Sequence, residues 1–494
     1  MKAHDSLEHL FGRLSTLEDA GGILSWDRDT MMPEGAADRR ATVMATLSGL
    51  QHELLTKPEV AEWLEKADAE GDPWRQANLD EMKRIHARAV AVPGDVVEAL
   101  SRAGSEAEMV WRKARRESDF GMLLPALQKV LDLTRESAQA IGEALGLSPY
   151  DALLDGFDPG MTQATIAPIF ADLARELPPL IEAVIARQAG SGPLQPLGQP
   201  PFPIALQEKL GLQMMEQVGF DSRRGRLDVS AHPFCGGATE DVRITTRYEE
   251  DDFLPAFLGV MHETGHALYE QGLPKAWLGQ PVGRARGMTM HESQSLLLEM
   301  QVTRSRDFAG FAAPLMAETF GSASSWDAES LYRRMAFVER GLIRVDADEV
   351  TYPAHIITRY ELETAMIDGS LALKDLPEAF NARIHDLLGI HVPDDRRGCL
   401  QDIHWPLGLW GYFPCYALGA LTAAQLFQAA LKALPDLCEH IRSGNFSPLL
   451  GWLRQHVHER ASSVSTQQIV ADATGKPLGA EAYLAHVRQR YLEN

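Results

Sequence analysis

The residues with the clearest chemical purpose are His262-Glu263-Thr264-Gly265-His266, an HExxH run. On a helix, side chains four apart share a face one turn apart, so both imidazoles can reach one divalent ion. Glu263 then stands beside that ion, placed to take a proton from an attacking water and not to ligate. A catalytic zinc site uses three protein ligands and keeps a further position open. Two acids downstream are candidates for the third ligand. Glu292, within Thr289-Met290-His291-Glu292, lies 26 positions past His266. A turn and a second, antiparallel helix would return it to the ion. Glu299, two turns later, is the alternative. The Thr289-x-x-Glu292 spacing is also that of a capping box, where the carboxylate only satisfies a backbone N–H. Spacing leaves all three readings open.

Other stretches set polar groups among apolar neighbours. Ile343–Glu349 holds Arg344 between apolar residues and ahead of three acids, and Gly398–Trp405 holds Gln401, Asp402 and His404. Trp410–Tyr416 adds the phenols of Tyr412 and Tyr416. A guanidinium fork matches a carboxylate, and a phenol or imidazole can donate to an oxyanion. Structural networks use the same residue types.

The elements that must position these groups are mostly helical. Asp251 and Asp252 can cap the HExxH helix, Gly272 and Pro274 can end it, and Leu254, Phe257, Leu258, Met261 and Leu268 give it a buried face. Helical periodicity recurs over 35–63, where Val43, Leu47, Leu50 and Leu54 form one apolar stripe, and over 120–145, 166–189, 335–342, 421–434 and 449–457. Strand-like alternation is confined to 226–249 around Gly236-Gly237, which predicts a small antiparallel sheet. A Pro/Gly-rich stretch at 189–203 reads as a linker between an N-terminal helical lobe (1–188) and a catalytic region (204–494), the two packed as one continuous fold.

Composition excludes several classes. Lys+Arg 47 against Asp+Glu 69 gives a net charge of −22, which repels nucleic-acid backbones and anionic membranes. The four cysteines lack CxxC spacing, so neither a disulfide framework nor a thiolate zinc site is expected. No run approaches the ~18 apolar residues of a membrane span, and the start has no apolar signal core, so a cytoplasmic protein is expected.

Taken together, the motifs resemble the carboxypeptidase Taq family of HExxH metallocarboxypeptidases. The matching stretches are His232-Pro233-Phe234, Asp241-Val242-Arg243-Ile244-Thr245, the HExxH, His291-Glu292-Ser293-Gln294, Ile343–Asp348 and Gly398–Trp405, in that order. Leu24-Ser25-Trp26-Asp27 and Met32-Pro33 extend the likeness toward the start. One departure is Cys415, where the family pattern has threonine. The resemblance implies a large, two-lobed, mainly α-helical body with a deep groove and a small sheet at its side. It implies homodimers that remove single residues from free peptide C-termini, with broad specificity except at proline. It implies His262, His266 and Glu292 as ligands of one divalent ion per subunit, zinc by default and cobalt as a substitute. Glu263 is then the general base, Tyr416 the oxyanion donor with His404 beside it, and Arg344 the anchor for the substrate carboxylate. His291, Asp241, Arg243, Thr245, Gln401 and Tyr412 are implied around the substrate. An endo-acting HExxH oligopeptidase and a non-catalytic metal-binding helical protein are the competing readings.

Overall fold

The computed structural model describes residues 2–321 and 326–493. Helices dominate it, and a core of buried side chains runs unbroken from Ala114 to Val487, across the Pro/Gly-rich stretch. A second, smaller core gathers Leu7, Leu10, Phe11 and Leu14 with Val60, Leu64, Leu79 and Met82, so the first helices pack on each other.

The HExxH helix spans Leu254–Gly272. Asp252 Oδ1 accepts the Leu254 N–H at 3.1 Å, satisfying one free donor of the first turn, and Leu273-Pro274 ends the helix. Leu254, Phe257 and Met261 are buried on the core face. The next helix, Met288–Leu296, begins after Gly287. Thr289 therefore lies inside it and not at a cap.

Contacts between the two helices run in opposite senses along the chain. His262 meets Glu299, His266 meets His291, and the Tyr269 hydroxyl accepts from the Arg286 N–H. A Cβ on Gly265 would stand 2.4 Å from Gln294 O, so the HExxH glycine is what lets these helices touch. Behind them lies the helix Pro414–Ala433. There a Cβ on Gly419 would stand 2.7 Å from both Cβ and Cγ of Glu292. Two glycines thus set how far Glu292 reaches.

The sheet is mixed, not antiparallel. β1 (Gly225–Val229) pairs in parallel with β3 (Asp241–Thr246), and only β2 (Cys235–Ala238) and β3 are antiparallel. The order is β1-β3-β2. Gly236 and Gly237 lie within β2, and the reversal falls at Thr239-Glu240. β3 packs on the HExxH helix, with Thr246 Oγ1 donating to Ala256 O at 3.3 Å.

Two helical expectations change. The 35–63 stretch breaks at Pro58 into Ala37–Leu55 and Pro58–Lys66, and its stripe is poorly covered, with Leu50 44% exposed. The helix Ala328–Met335 ends at the residue where the periodicity predicts helix to begin over 335–342. The chain turns there because the Asp348 carboxylate accepts the Glu339 N–H, drawing the segment toward Arg344.

Candidate metal centre and substrate groove

His262, His266 and Glu292 converge, one ligand atom from each lying within 4.8 Å of the others. Glu292 Oε1 is 3.9 Å from His262 Nε2, and Oε2 is 3.5 Å from His266 Nε2. The far side of each ring shows why Nε2 faces inward. His262 Nδ1 lies 3.0 Å from Glu299 Oε2, an acceptor only, so this nitrogen carries the proton. His266 Nδ1 lies 2.6 Å from His291 Nδ1, whose Nε2 lies 2.8 Å from Glu270 Oε1. Glu270 accepts the His291 Nε2–H, His291 Nδ1 accepts the His266 Nδ1–H, and both ligand candidates aim Nε2 at the Glu292 carboxylate, where a bound ion would displace the proton from His262. That is the outer-shell arrangement of a histidine metal site. Glu299 is therefore placed as the orienting carboxylate and not as a ligand.

The electrostatics suit a cation. Burial alone would lower the His262 pKa, but the Glu299 hydrogen bond and the Glu292 and Glu263 charges raise it to about 10. Burial dominates His266 and lowers its pKa to about 4, although the Glu292 hydrogen bond opposes it. Burial pushes the Glu263 carboxyl up to about 7. Glu299 is held at about 2, because the Arg304 charge and the His262 bond outweigh its burial. Three carboxylates crowding two imidazoles form a pocket in which a divalent ion can replace the proton. The donor set, two imidazoles and a carboxylate, fits zinc chemistry.

Arg344 is buried, and its guanidinium is partly committed. Nε and Nη2 contact Asp402 Oδ1 at 3.0 and 2.9 Å, and the group stacks 4.8 Å from the Tyr416 ring. Asp402 also accepts from Arg359 Nε at 2.7 Å. Burial would raise the Asp402 carboxyl, but the two guanidinium charges hold it well below the carboxylate range. Gln401 accepts the Arg344 N–H at 2.8 Å and donates to the Leu342, Arg397 and Gly398 carbonyls, so it braces Arg344 instead of facing the groove. His404 Nε2 lies 3.1 Å from the Tyr416 hydroxyl, and burial pushes the His404 pKa down to about 3, keeping it neutral. Tyr412 stacks edge-on to Tyr416 at 5.1 Å. Glu363 holds this segment from beneath, accepting from Trp405 Nε1 at 2.8 Å and the Gly411 N–H at 3.1 Å. Cys415 is buried and leaves both tyrosines in place.

The strand residues divide. Asp241 and Arg243 form a bidentate pair, with Arg243 stacked 4.3 Å from Trp26 of the first helix. Thr245 is fully buried, and its hydroxyl bonds Ser230 and the Phe234 N–H. Its hydroxyl is committed to the turn that carries the His232-Pro233-Phe234 loop. Sequence reasoning gave no role to Asp402, Arg359 or Glu270. Glu270 carried a usable signal, standing one helical turn past His266; Arg359 carried none.

The carboxypeptidase Taq (M32) metallopeptidase family profile matches residues 6–491. Thermostable carboxypeptidase 1 of Thermus thermophilus is 39% identical over 99% of this chain and 98% of its own. Carboxypeptidase 1 of Bacillus subtilis is 33% identical, covering 98% and 96%. Among solved structures, Trypanosoma cruzi metallocarboxypeptidase 1 superposes with a TM-score of 0.97 at 38% identity, covering all of both chains. The M32 carboxypeptidase of Deinococcus radiodurans gives 0.94 at 35%, covering 100% of this chain and 99% of that one.

Proposed function

The chain belongs to the carboxypeptidase Taq family and is a peptide-hydrolysing metallocarboxypeptidase, and from that premise we propose how its residues divide the work. His262, His266 and Glu292 hold one divalent ion, zinc by default and cobalt as a substitute. When bound, the ion acidifies the attacking water and polarises the scissile carbonyl. Glu263 takes the proton from that water and returns it to the leaving amine. Tyr416, oriented by neutral His404, donates to the developing oxyanion, a contact worth ~3–4 kcal/mol in comparable sites. Arg344 anchors the free C-terminal carboxylate through Nη1, the one terminal nitrogen not committed to Asp402. Tyr412 lines the same wall, His291 holds His266, and Asp241 and Arg243 shape the groove rim against the first helix.

The observation that carries this reading is the inward-facing His262–His266–Glu292 triad, with a hydrogen-bonded acceptor behind each imidazole. Family membership supports broad side-chain specificity with exclusion of proline, and a homodimer. A cytoplasmic location is part of this reading; no helix of the described residues is long and apolar enough to cross a membrane. Arg344→Gln is the test of exopeptidase action. It should raise KM for free peptides ~10-fold or more while leaving cleavage of C-terminally blocked peptides negligible. Unchanged KM, with blocked peptides cleaved, would favour an endo-acting oligopeptidase.

A further inference from the structure

The helix that carries Glu292 widens into a π-helix over Leu297–Thr303. Such turns are rare and recur at functional sites. This one presents Glu299 to His262. Its outer backbone is held by a residue 190 positions away: Arg490 Nη1 donates to Met300 O at 2.6 Å and Nη2 to Gln301 O at 3.0 Å. The same Nη1 lies 2.7 Å from Glu349 Oε1.

Glu349 is a fully buried carboxylate that also accepts from the Tyr491 hydroxyl at 2.6 Å and lies 3.2 Å from His486 Nε2. It follows Asp348, whose carboxylate closes the turn leading into the helix Tyr352–Asp368 by accepting the Val350 and Thr351 N–H groups at 2.9 and 3.0 Å. That short segment begins at Arg344. One guanidinium therefore touches both the turn that orients a ligand histidine and the loop that carries the carboxylate anchor.

We propose that Arg490 is a positioning residue that locks the π-turn to the Arg344 loop and so keeps the metal ligands in register with the substrate carboxylate. This rests on the metal reading of the site given above. A fork is required, because two carbonyls and a carboxylate are bridged by one planar group; a lysine supplies a single point charge.

The test compares wild type, Arg490→Lys and Arg442→Gln as full chains. Arg442, which pairs with Asp307 and Glu439, lines with Arg490 a ~570 Å³ surface cavity apart from the metal centre, but touches neither the π-turn nor Glu349. Zn²⁺ affinity of metal-stripped protein is read by chelator competition, KM and kcat by peptide hydrolysis, and folding by melting of the metal-free chain. Arg490→Lys should bind Zn²⁺ ~10-fold more weakly and raise KM several-fold, while Arg442→Gln matches wild type. Arg490→Ala leaves the guanidinium's place empty beside that cavity, and millimolar guanidinium ion should restore its Zn²⁺ affinity. If that variant does not fold, the lysine variant decides. Wild-type affinity and KM in Arg490→Lys, with or without a lower melting temperature, would overturn the positioning role and leave a packing staple. Failure of the wild type itself to bind Zn²⁺ would instead overturn the metal reading.

Discussion

Replacing Asp402 by Asn probes the substrate-binding half of the site most sharply. Asp402 is the shared acceptor of two buried guanidiniums, contacting Arg344 Nε and Nη2 at 3.0 and 2.9 Å and Arg359 Nε at 2.7 Å. The amide keeps the shape and one acceptor but removes the charge, leaving Arg359, 1% exposed, with no compensating anion among its described partners. Removing one member of a buried ion pair costs ~3–5 kcal/mol. At ~2.1 cal/mol/K per residue, 494 residues give about 1 °C of melting shift per kcal/mol, hence a fall of ~3–5 °C. Arg344 loses the contact that turns Nη1 to the groove. A charge-assisted hydrogen bond is worth ~1.5–3 kcal/mol, so KM for a free C-terminal peptide should rise ~10- to 150-fold, with kcat changed less. The assays are melting of the metal-free chain and initial rates across peptide concentration. A melting shift below about 1 °C together with unchanged KM would refute both the charge-sharing role of Asp402 and its hold on Arg344.

Glu263→Gln should retain metal binding and lower kcat by at least ~10²–10⁴; retained activity would remove it as the proton carrier. Gly419→Ala puts a methyl into Glu292, so metal affinity should fall ~10-fold or more, measured by chelator competition; unchanged affinity would show that the helices separate without moving the ligand. Glu349 and Asp402 both hold folded pKa values below their ordinary 4.5 and 3.8, since their arginine neighbours outweigh burial. The stability they contribute is present above those values and is lost as pH falls below about 4.5. Melting temperature should drop steeply below that pH in wild type and less steeply in Asp402→Asn; parallel curves would contradict the assignment.

Much of the site could be read from the chain because its signals are local. The i, i+4 histidines, the flanking Asp252 and Pro274, and an acid one loop and one helix later all follow from helical spacing. What spacing does not encode is which of two acids faces the ion. That depends on Gly265 and Gly419, whose missing side chains bring Glu292 inward while Glu299 slides behind His262 on the π-turn. The mixed sheet was illegible for a related reason. β1 and β3 pair in parallel across a connection that includes β2, and alternation within a strand carries no information about its neighbour's direction. The Asp402–Arg359 pair joins residues 43 apart with no shared periodicity. The apolar stripe of Ala37–Leu55 illustrates the converse, a clear local pattern that the described fold leaves poorly covered.

The most direct measurement is hydrolysis of a matched pair of peptides, one with a free C-terminal carboxylate and one amidated. Both are run on metal-stripped protein with and without Zn²⁺ or Co²⁺. The account predicts release of single C-terminal residues from the free peptide only, and only when metal is restored. Cleavage of both peptides would contradict the role given to Arg344, and cleavage of neither with metal bound would contradict the catalytic role of the His262–His266–Glu292 centre.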